Sequence, residues 1–173
     1  MSKEKFKAWV CTALEMEEKG KVFYEKAVSS CEQGLGKEVF TMLRDDELKH
    51  IERIREIEKA LDKEKDLVQV CRIDEKQDDL KKVFRDMAAK SQKETPCTYA
   101  VKALQTGIDF ELALIRFYEE ALRGAEEDLE REFLKRMVSE EKGHYVLLSD
   151  LNYYYEDPEG WAMEKSGYEL DGA

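Results

Sequence analysis

Proline and glycine are scarce, two and nine in 173 residues. So few breakers exclude a loop-rich chain, and the abundant Ala, Leu, Glu, Lys and Arg favour long helices. No run approaches the ~20 apolar residues that a transmembrane helix needs. The apolar stretch after Met1–Lys7 is too short for a signal peptide before charges intervene. A cytoplasmic protein with no membrane partner is therefore expected. Positive charge is in deficit, with 29 Lys and Arg against 40 Asp and Glu and a formal net charge of −11. Such a chain is not drawn to nucleic acid or anionic lipid. Cys-x-x-Cys pairs are missing: Cys11, Cys31, Cys71 and Cys97 stand far apart, which excludes a four-thiolate iron or zinc site. They are expected to be reduced thiols, with Cys31 filling core space.

Histidine is rarer still, and the two that exist, His50 and His144, belong to an internal repeat. Residues 12–50 and 106–144 align without a gap at an offset of 94. The matched pairs include Thr12/Thr106, Glu17/Glu111, Phe23/Phe117, Tyr24/Tyr118, Ala27/Ala121, Glu47/Glu141 and His50/His144. Each half reads as a helical hairpin. Ser2 is placed to cap a first helix ending near Glu32, at the Gln33-Gly34-Leu35-Gly36 turn, and a second spans about 37–65. Thr95-Pro96 offers an N-cap and a first-turn proline for a third helix ending near Gly124. The fourth runs over about 128–155 and stops at Asp157-Pro158. Between the hairpins, residues 67–71 read as extended. Asp74 then caps a short amphipathic helix with Leu80, Val83, Phe84 and Met87 on one face. The fold class is thus all-α, a four-helix bundle of two repeated hairpins with a long crossover. One domain covers 1–157, and 158–173 is a tail packed on the bundle or on a dimer interface.

Steps of four and three trace the seams that face inward. They read Phe6, Val10, Ala13, Glu17, Gly20, Tyr24, Ala27, Cys31, then Gly36, Phe40, Leu43, Glu47, His50, Ile54, Ile57, Leu61. The second hairpin gives Ala100, Leu104, Gly107, Glu111, Leu114, Tyr118, Ala121, Ala125, then Glu130, Leu134, Met137, Glu141, His144, Leu148, Leu151, Tyr155. On every seam the middle residues are carboxylate or imidazole, flanked above and below by apolar layers, with no Lys or Arg to compensate. Buried charge without a partner is untenable at several kcal/mol per ion, roughly. Two divalent cations would balance four carboxylates, and oxygen with imidazole suits iron or manganese, with zinc a further fit. Glu-x-x-His places both side chains on one helix face, aimed at one point. One Glu from each of two helices, plus Glu-x-x-His from each of the other two, is the di-metal arrangement of ferritin-like bundles. The candidate metal ligands are therefore Glu17, Glu47, His50, Glu111, Glu141 and His144.

The stretch Ala13-Leu-Glu-Met-Glu-Glu-Lys-Gly-Lys-Val-Phe-Tyr-Glu-Lys-Ala resembles the opening motif of the rubrerythrin family within the ferritin-like superfamily. The resemblance extends over residues 3–155. It implies a di-iron centre in which Glu47 and Glu141 bridge the metals and Glu17, His50, Glu111 and His144 are terminal ligands. It implies that Tyr24 and Tyr118 hydrogen-bond to ligand carboxylates across the bundle. It further implies an oxidoreductase that reduces hydrogen peroxide, with ferroxidase-type handling of iron and oxygen, or a metal-bound structural bundle without turnover, as alternatives. Full-length rubrerythrins carry a C-terminal rubredoxin domain that has no counterpart in these residues, so a rubredoxin-like external carrier is the expected electron donor. Many also carry a further glutamate one turn beyond the helix-three ligand, where this chain has Leu114.

Three features keep two readings each. Asp46 and Glu140 precede the bridging glutamates, and either orient the histidine of the opposite motif or are solvated. Gly20 and Gly107 mark either close helix packing or space for a small oxidant. Tyr153-Tyr154-Tyr155, Trp161 and Tyr168 either close one end of the bundle or meet a partner. A homodimer is expected, with the long connection permitting hairpin exchange.

Overall fold

Among the described residues, six helices order the chain. The computed structural model describes residues 3–62, 80–90 and 96–165. Helices α1 (Lys3–Ser29) and α2 (Leu35–Asp62) form the first hairpin, and α4 (Thr98–Gly124) and α5 (Asp128–Glu156) the second. The short α3 (Leu80–Lys90) lies against α2 and α5, and α6 (Pro158–Lys165) packs on α5. The hairpins face each other through α1 with α4 and α2 with α5, closing one bundle.

Local chemistry sets the ends of these helices. Ser29 and Ser30 turn their hydroxyls back to the Lys26 carbonyl, at 3.0 and 2.7 Å. This offers the backbone an alternative to the helix ladder, so α1 stops before Glu32. Gly34 follows at φ 104°, in the left-handed region that a Cβ disfavours, and α2 starts at once. At the other end Asp157 does two jobs. It terminates α5, and its Oδ1 accepts the Gly160 N–H at 2.9 Å, capping α6 with Pro158 as the first helical residue. Trp161 of α6 is thereby buried edge-on against Phe84 of α3 and Tyr154 of α5, with centroids 5.4 and 5.3 Å away.

The seams go inward. Of the residues traced above, Tyr155 is partly buried, Leu61 lies where side chains are not described, and the rest are buried. They form two apolar clusters. One holds Phe6, Trp9, Val10, Ile54, Ile57, Leu114, Phe133, Leu134 and Met137. The other holds Tyr24, Leu35, Phe40, Leu43, Leu104, Leu148 and Leu151. At roughly 1.5–3 kcal/mol per large side chain buried, each cluster holds its own end of the bundle. Between them lies the layer of glutamates and histidines.

Two expectations need correction. Helix α4 begins at Thr98, preceded by Cys97 in extended conformation with no side-chain cap. Pro96 therefore stands outside the first turn, and Thr95 is outside the described residues. Cys97 has another role: it is disulfide-bonded to Cys31, 66 residues earlier, so these are not reduced thiols. The seam brings the end of α1 beside the start of α4, a proximity that sequence distance conceals. Cys11 is free and exposed. Ser2, Cys71, the extended 67–71 stretch, Asp74 and Tyr168 lie outside the described residues.

Candidate metal centre

Each helix of the bundle delivers its polar residues at the same height. Glu17 comes from α1, Glu47 and His50 from α2, Glu111 from α4, and Glu141 and His144 from α5. All six are at most 2% exposed. Their ligand atoms fall into two overlapping groups, one of Glu47, Glu111, Glu141 and His144 and one of Glu17, Glu47 and His50, with atoms in each group within 4.8 Å. Glu47 belongs to both. Glu141 also spans the two, with Oε1 3.1 Å from His50 Nδ1 and Oε2 3.3 Å from His144 Nδ1. The imidazoles stack at a centroid distance of 5.5 Å.

Both histidines turn Nδ1 inward and Nε2 outward. His50 Nε2 is 2.9 Å from Glu140 Oε2, and His144 Nε2 is 3.5 Å from Asp46 Oδ2. An outer carboxylate that accepts from Nε2–H fixes the tautomer that leaves the Nδ1 lone pair for a metal. Of the two readings of Asp46 and Glu140, the orienting one matches these positions. Each acid comes from the hairpin opposite to its histidine. Glu140 is held in turn by Arg53 at 2.8 Å and Arg136 at 2.6 Å, while Asp46 pairs with Lys49 at 2.9 Å. The tyrosines cross over likewise: Tyr24 donates its hydroxyl to Glu111 Oε1, and Tyr118 to Glu17 Oε1. Arg53 and Arg136 were not singled out in the sequence, where they look like any surface cations.

The residues fit a pair of metal ions. Both oxygens of Glu47, both of Glu141, Glu111 Oε2 and His144 Nδ1 are buried with no hydrogen-bond donor or acceptor aligned to them. The 3.1 Å approach of His50 to Glu141 Oε1 does not meet hydrogen-bond geometry. Leaving such groups unmatched costs ~1–3 kcal/mol each, more when charged, whereas cations would satisfy them together.

Proton affinities reflect the crowding. Burial, then the charge of Glu17, raises the Glu47 carboxyl well above its usual range. Burial pushes Glu111 up to about 7, against the pull of the nearby His144 imidazole. Glu141 is different: burial is outweighed by the charge of His50, with His144 close on its other side, and these hold it low. Burial opposes charge on the histidines too. It is overcome at His50 by Glu141 and Glu17, and at His144 by Asp46 and Glu111, so both are raised. Glu140 and Asp46 are lowered to about 2, burial being outweighed by their imidazole and cationic partners. Burial, then Glu111 at Tyr24 and Glu17 at Tyr118, raises both phenols, so they remain donors.

Gly20 is resolved in favour of close packing, since an added Cβ would lie 2.7 Å from Phe110 Cε1 and 3.1 Å from Glu47 Cδ. At Gly107 the nearest atom would be Leu148 Cδ1, at 3.2 Å.

Residues 10–152 match the family model for rubrerythrin. The chain belongs to the rubrerythrin family. Comparison with curated proteins and with solved structures returned no match. Rubrerythrin membership implies a di-iron carboxylate centre, and the glutamate and histidine groups are positioned so that they could hold metal. Among the described residues, no helix is long and apolar enough to cross a membrane.

Proposed function

We propose that this rubrerythrin-family chain reduces hydrogen peroxide to water, using two electrons and two protons per peroxide and drawing the electrons from an external carrier protein. The observation that supports it best is the paired donor set, in which Glu47 and Glu141 each reach both histidine-bearing halves. Glu17, Glu47, His50, Glu111, Glu141 and His144 would hold two iron ions, which supply one electron each and so suit a two-electron reduction. The remaining chemistry belongs to the chain. Tyr24 and Tyr118 hold Glu111 and Glu17 in place through their hydroxyls. Glu140 and Asp46 orient the imidazoles. The two apolar clusters exclude water above and below, strengthening every electrostatic interaction in the layer between.

The test is stopped-flow mixing of the anaerobic, ferrous-loaded protein with hydrogen peroxide and, separately, with oxygen. Oxidation by peroxide is expected to be at least about tenfold faster, a barrier difference of roughly 1.4 kcal/mol. A preference for oxygen would instead assign iron oxidation to the site. Failure to oxidise with either would leave a structural metal bundle.

A further inference from the structure

The wall of the site is built differently on its two sides. Gly20 and Leu114 are repeat mates, each three residues beyond a candidate ligand, Glu17 or Glu111. Leu114 is fully buried and fills its position. Gly20 has nothing to fill its own, and the place is taken from across the interface by Phe110 of α4. The repeat mate of Phe110 is Met16. Because a Cβ on Gly20 would stand 2.7 Å from Phe110 Cε1 and 3.1 Å from Glu47 Cδ, the ring edge and that carboxylate are less than about 6 Å apart. Phe110 is itself only partly buried. A single apolar side chain therefore reaches from the protein surface to the neighbourhood of a carboxylate shared by both ligand groups.

On the histidine face, charge closes the way. Glu140 is tied to His50, Arg53 and Arg136, and Asp46 to His144 and Lys49. Displacing either breaks charge-assisted hydrogen bonds. Turning Phe110 breaks none, and rotamer changes of partly exposed side chains are fast.

We infer that Phe110, seated over Gly20, is the door through which a small neutral oxidant reaches the site, and that it sets the size limit. Hydrogen peroxide and oxygen pass a turning ring, and bulky alkyl hydroperoxides do not. This rests on the reading of the site as a metal centre that meets an oxidant.

The experiment uses the full chain loaded anaerobically with ferrous iron, with nitric oxide as a neutral probe whose binding rate is followed by stopped-flow absorbance. Phe110→Ala is expected to raise that rate by about tenfold, the effect of removing a barrier of roughly 1.4 kcal/mol, with Phe110→Leu in between. The same variants should gain more in oxidation rate with tert-butyl hydroperoxide than with hydrogen peroxide. Phe110→Leu keeps the test decisive if the alanine variant folds poorly, with iron content and helicity checked for each. Nitric oxide rates that are unchanged or slower in Phe110→Leu overturn the door, whatever the peroxide chemistry. Rates that follow side-chain size in a protein inert to peroxide leave the door standing and remove the peroxidase reading alone.

Discussion

Glu17, Glu47 and His50 on the first hairpin are repeated 94 residues later as Glu111, Glu141 and His144. What surrounds them is not repeated. His50 is braced by Glu140, itself clasped by two arginines, and His144 by the more distant Asp46 with one lysine. Glu141 sits between both imidazoles and is held ionised, whereas its mate Glu47 has no donor and holds its proton tightly. Trp9 stacks on Phe117 and meets the edge of Tyr118, while the mate of Trp9 is Ala103. The repeat therefore accounts for the number and symmetry of donors, and the later differences make two unequal halves. The contacts of Glu140 with His50, Asp46 with His144, Tyr24 with Glu111 and Tyr118 with Glu17 all cross from one hairpin to the other. Neither hairpin can hold an organised half-site by itself.

Removing the shared residue should break the comparison most completely. Glu47→Ala takes a donor from both groups and leaves three carboxylates facing each other. Affinity for two divalent ions is expected to fall by more than the ~10–100-fold typical of losing a mere supporting group. Metal analysis after dialysis measures this. Two tightly held ions in the variant would count heavily against the ligand assignment.

The disulfide separates the ends of the bundle. Cys31 and Cys97 tie α1 to α4 at one end, while their repeat mates, Ala125 and Lys3, leave the other end unlinked. A loop of this length is worth about 4 kcal/mol to the oxidised form. Reduction should lower the melting temperature by roughly 10 °C for a domain of this size. An unchanged melting curve, with free thiols counted to prove reduction, would show that packing alone fixes that end.

Titration sharpens the contrast between the raised and lowered acids. In the metal-free protein, Glu111 has a folded pKa of about 7 against an ordinary 4.5, and Glu47 is raised as well. Each contributes stability that is full below the ordinary carboxylate range and is lost as pH rises through its folded value. The raised histidines act in the same direction, contributing fully below 6.5 and losing it as pH rises through their higher folded values. Glu140 and Asp46, lowered to about 2, contribute above the carboxylate range and lose it as pH falls toward 2. Metal-free protein should thus be most stable near pH 4.5 and lose roughly 5 °C or more by pH 8. Metal-loaded protein should not show this decline, because cations bind the deprotonated groups. Calorimetric melts of both forms across that range decide it, and parallel curves would refute the account.

A finer contrast lies in the braces. Glu140→Gln should weaken binding of one metal by about 10–100-fold, and Asp46→Asn by less, because the Asp46 contact is longer and carries fewer cations. Stepwise cobalt titrations of the two variants should separate. Equal losses would mean that the arginines around Glu140 add nothing.

The bundle was legible because its seams are long and strictly spaced. The candidate ligands were legible because two histidines and their glutamates recur at one offset. What stayed hidden depends on neighbours far apart in sequence. Cys31 and Cys97 read as separate thiols until the helix ends are placed side by side. Arg53 and Arg136 look like solvated cations until Glu140 is seen between them. Gly20 kept two meanings because the ring that fills its space comes from position 110. The start of α4 was misplaced because Thr95-Pro96 is a sound local signal, while Cys97 is held extended by its bond across the bundle.

The smallest expected effect is no movement at all, and it follows from what the two halves share. Neither Gly20 nor Leu114 offers a carboxylate, so each side keeps three candidate donors, six in all. Leu114 is fully buried in the apolar cluster with Ile54 and Met137. Nothing there could take the place of a histidine when the charge on the metals changes. His50 is also pinned from behind by Glu140, so leaving its position would break a charge-assisted hydrogen bond to a part-buried carboxylate that two arginines hold in place. Losing such a bond costs about 1.5–3 kcal/mol. Structures of the ferrous-loaded and peroxide-treated protein in one crystal form should therefore place both metals within ordinary ligand-distance scatter, roughly 0.2 Å. Leu114→Glu supplies the missing carboxylate and should be the variant in which a metal moves, if it folds with that residue satisfied. A shift of more than about 1 Å in the unaltered protein, several times that scatter, would show that the six donors do not fix the metals.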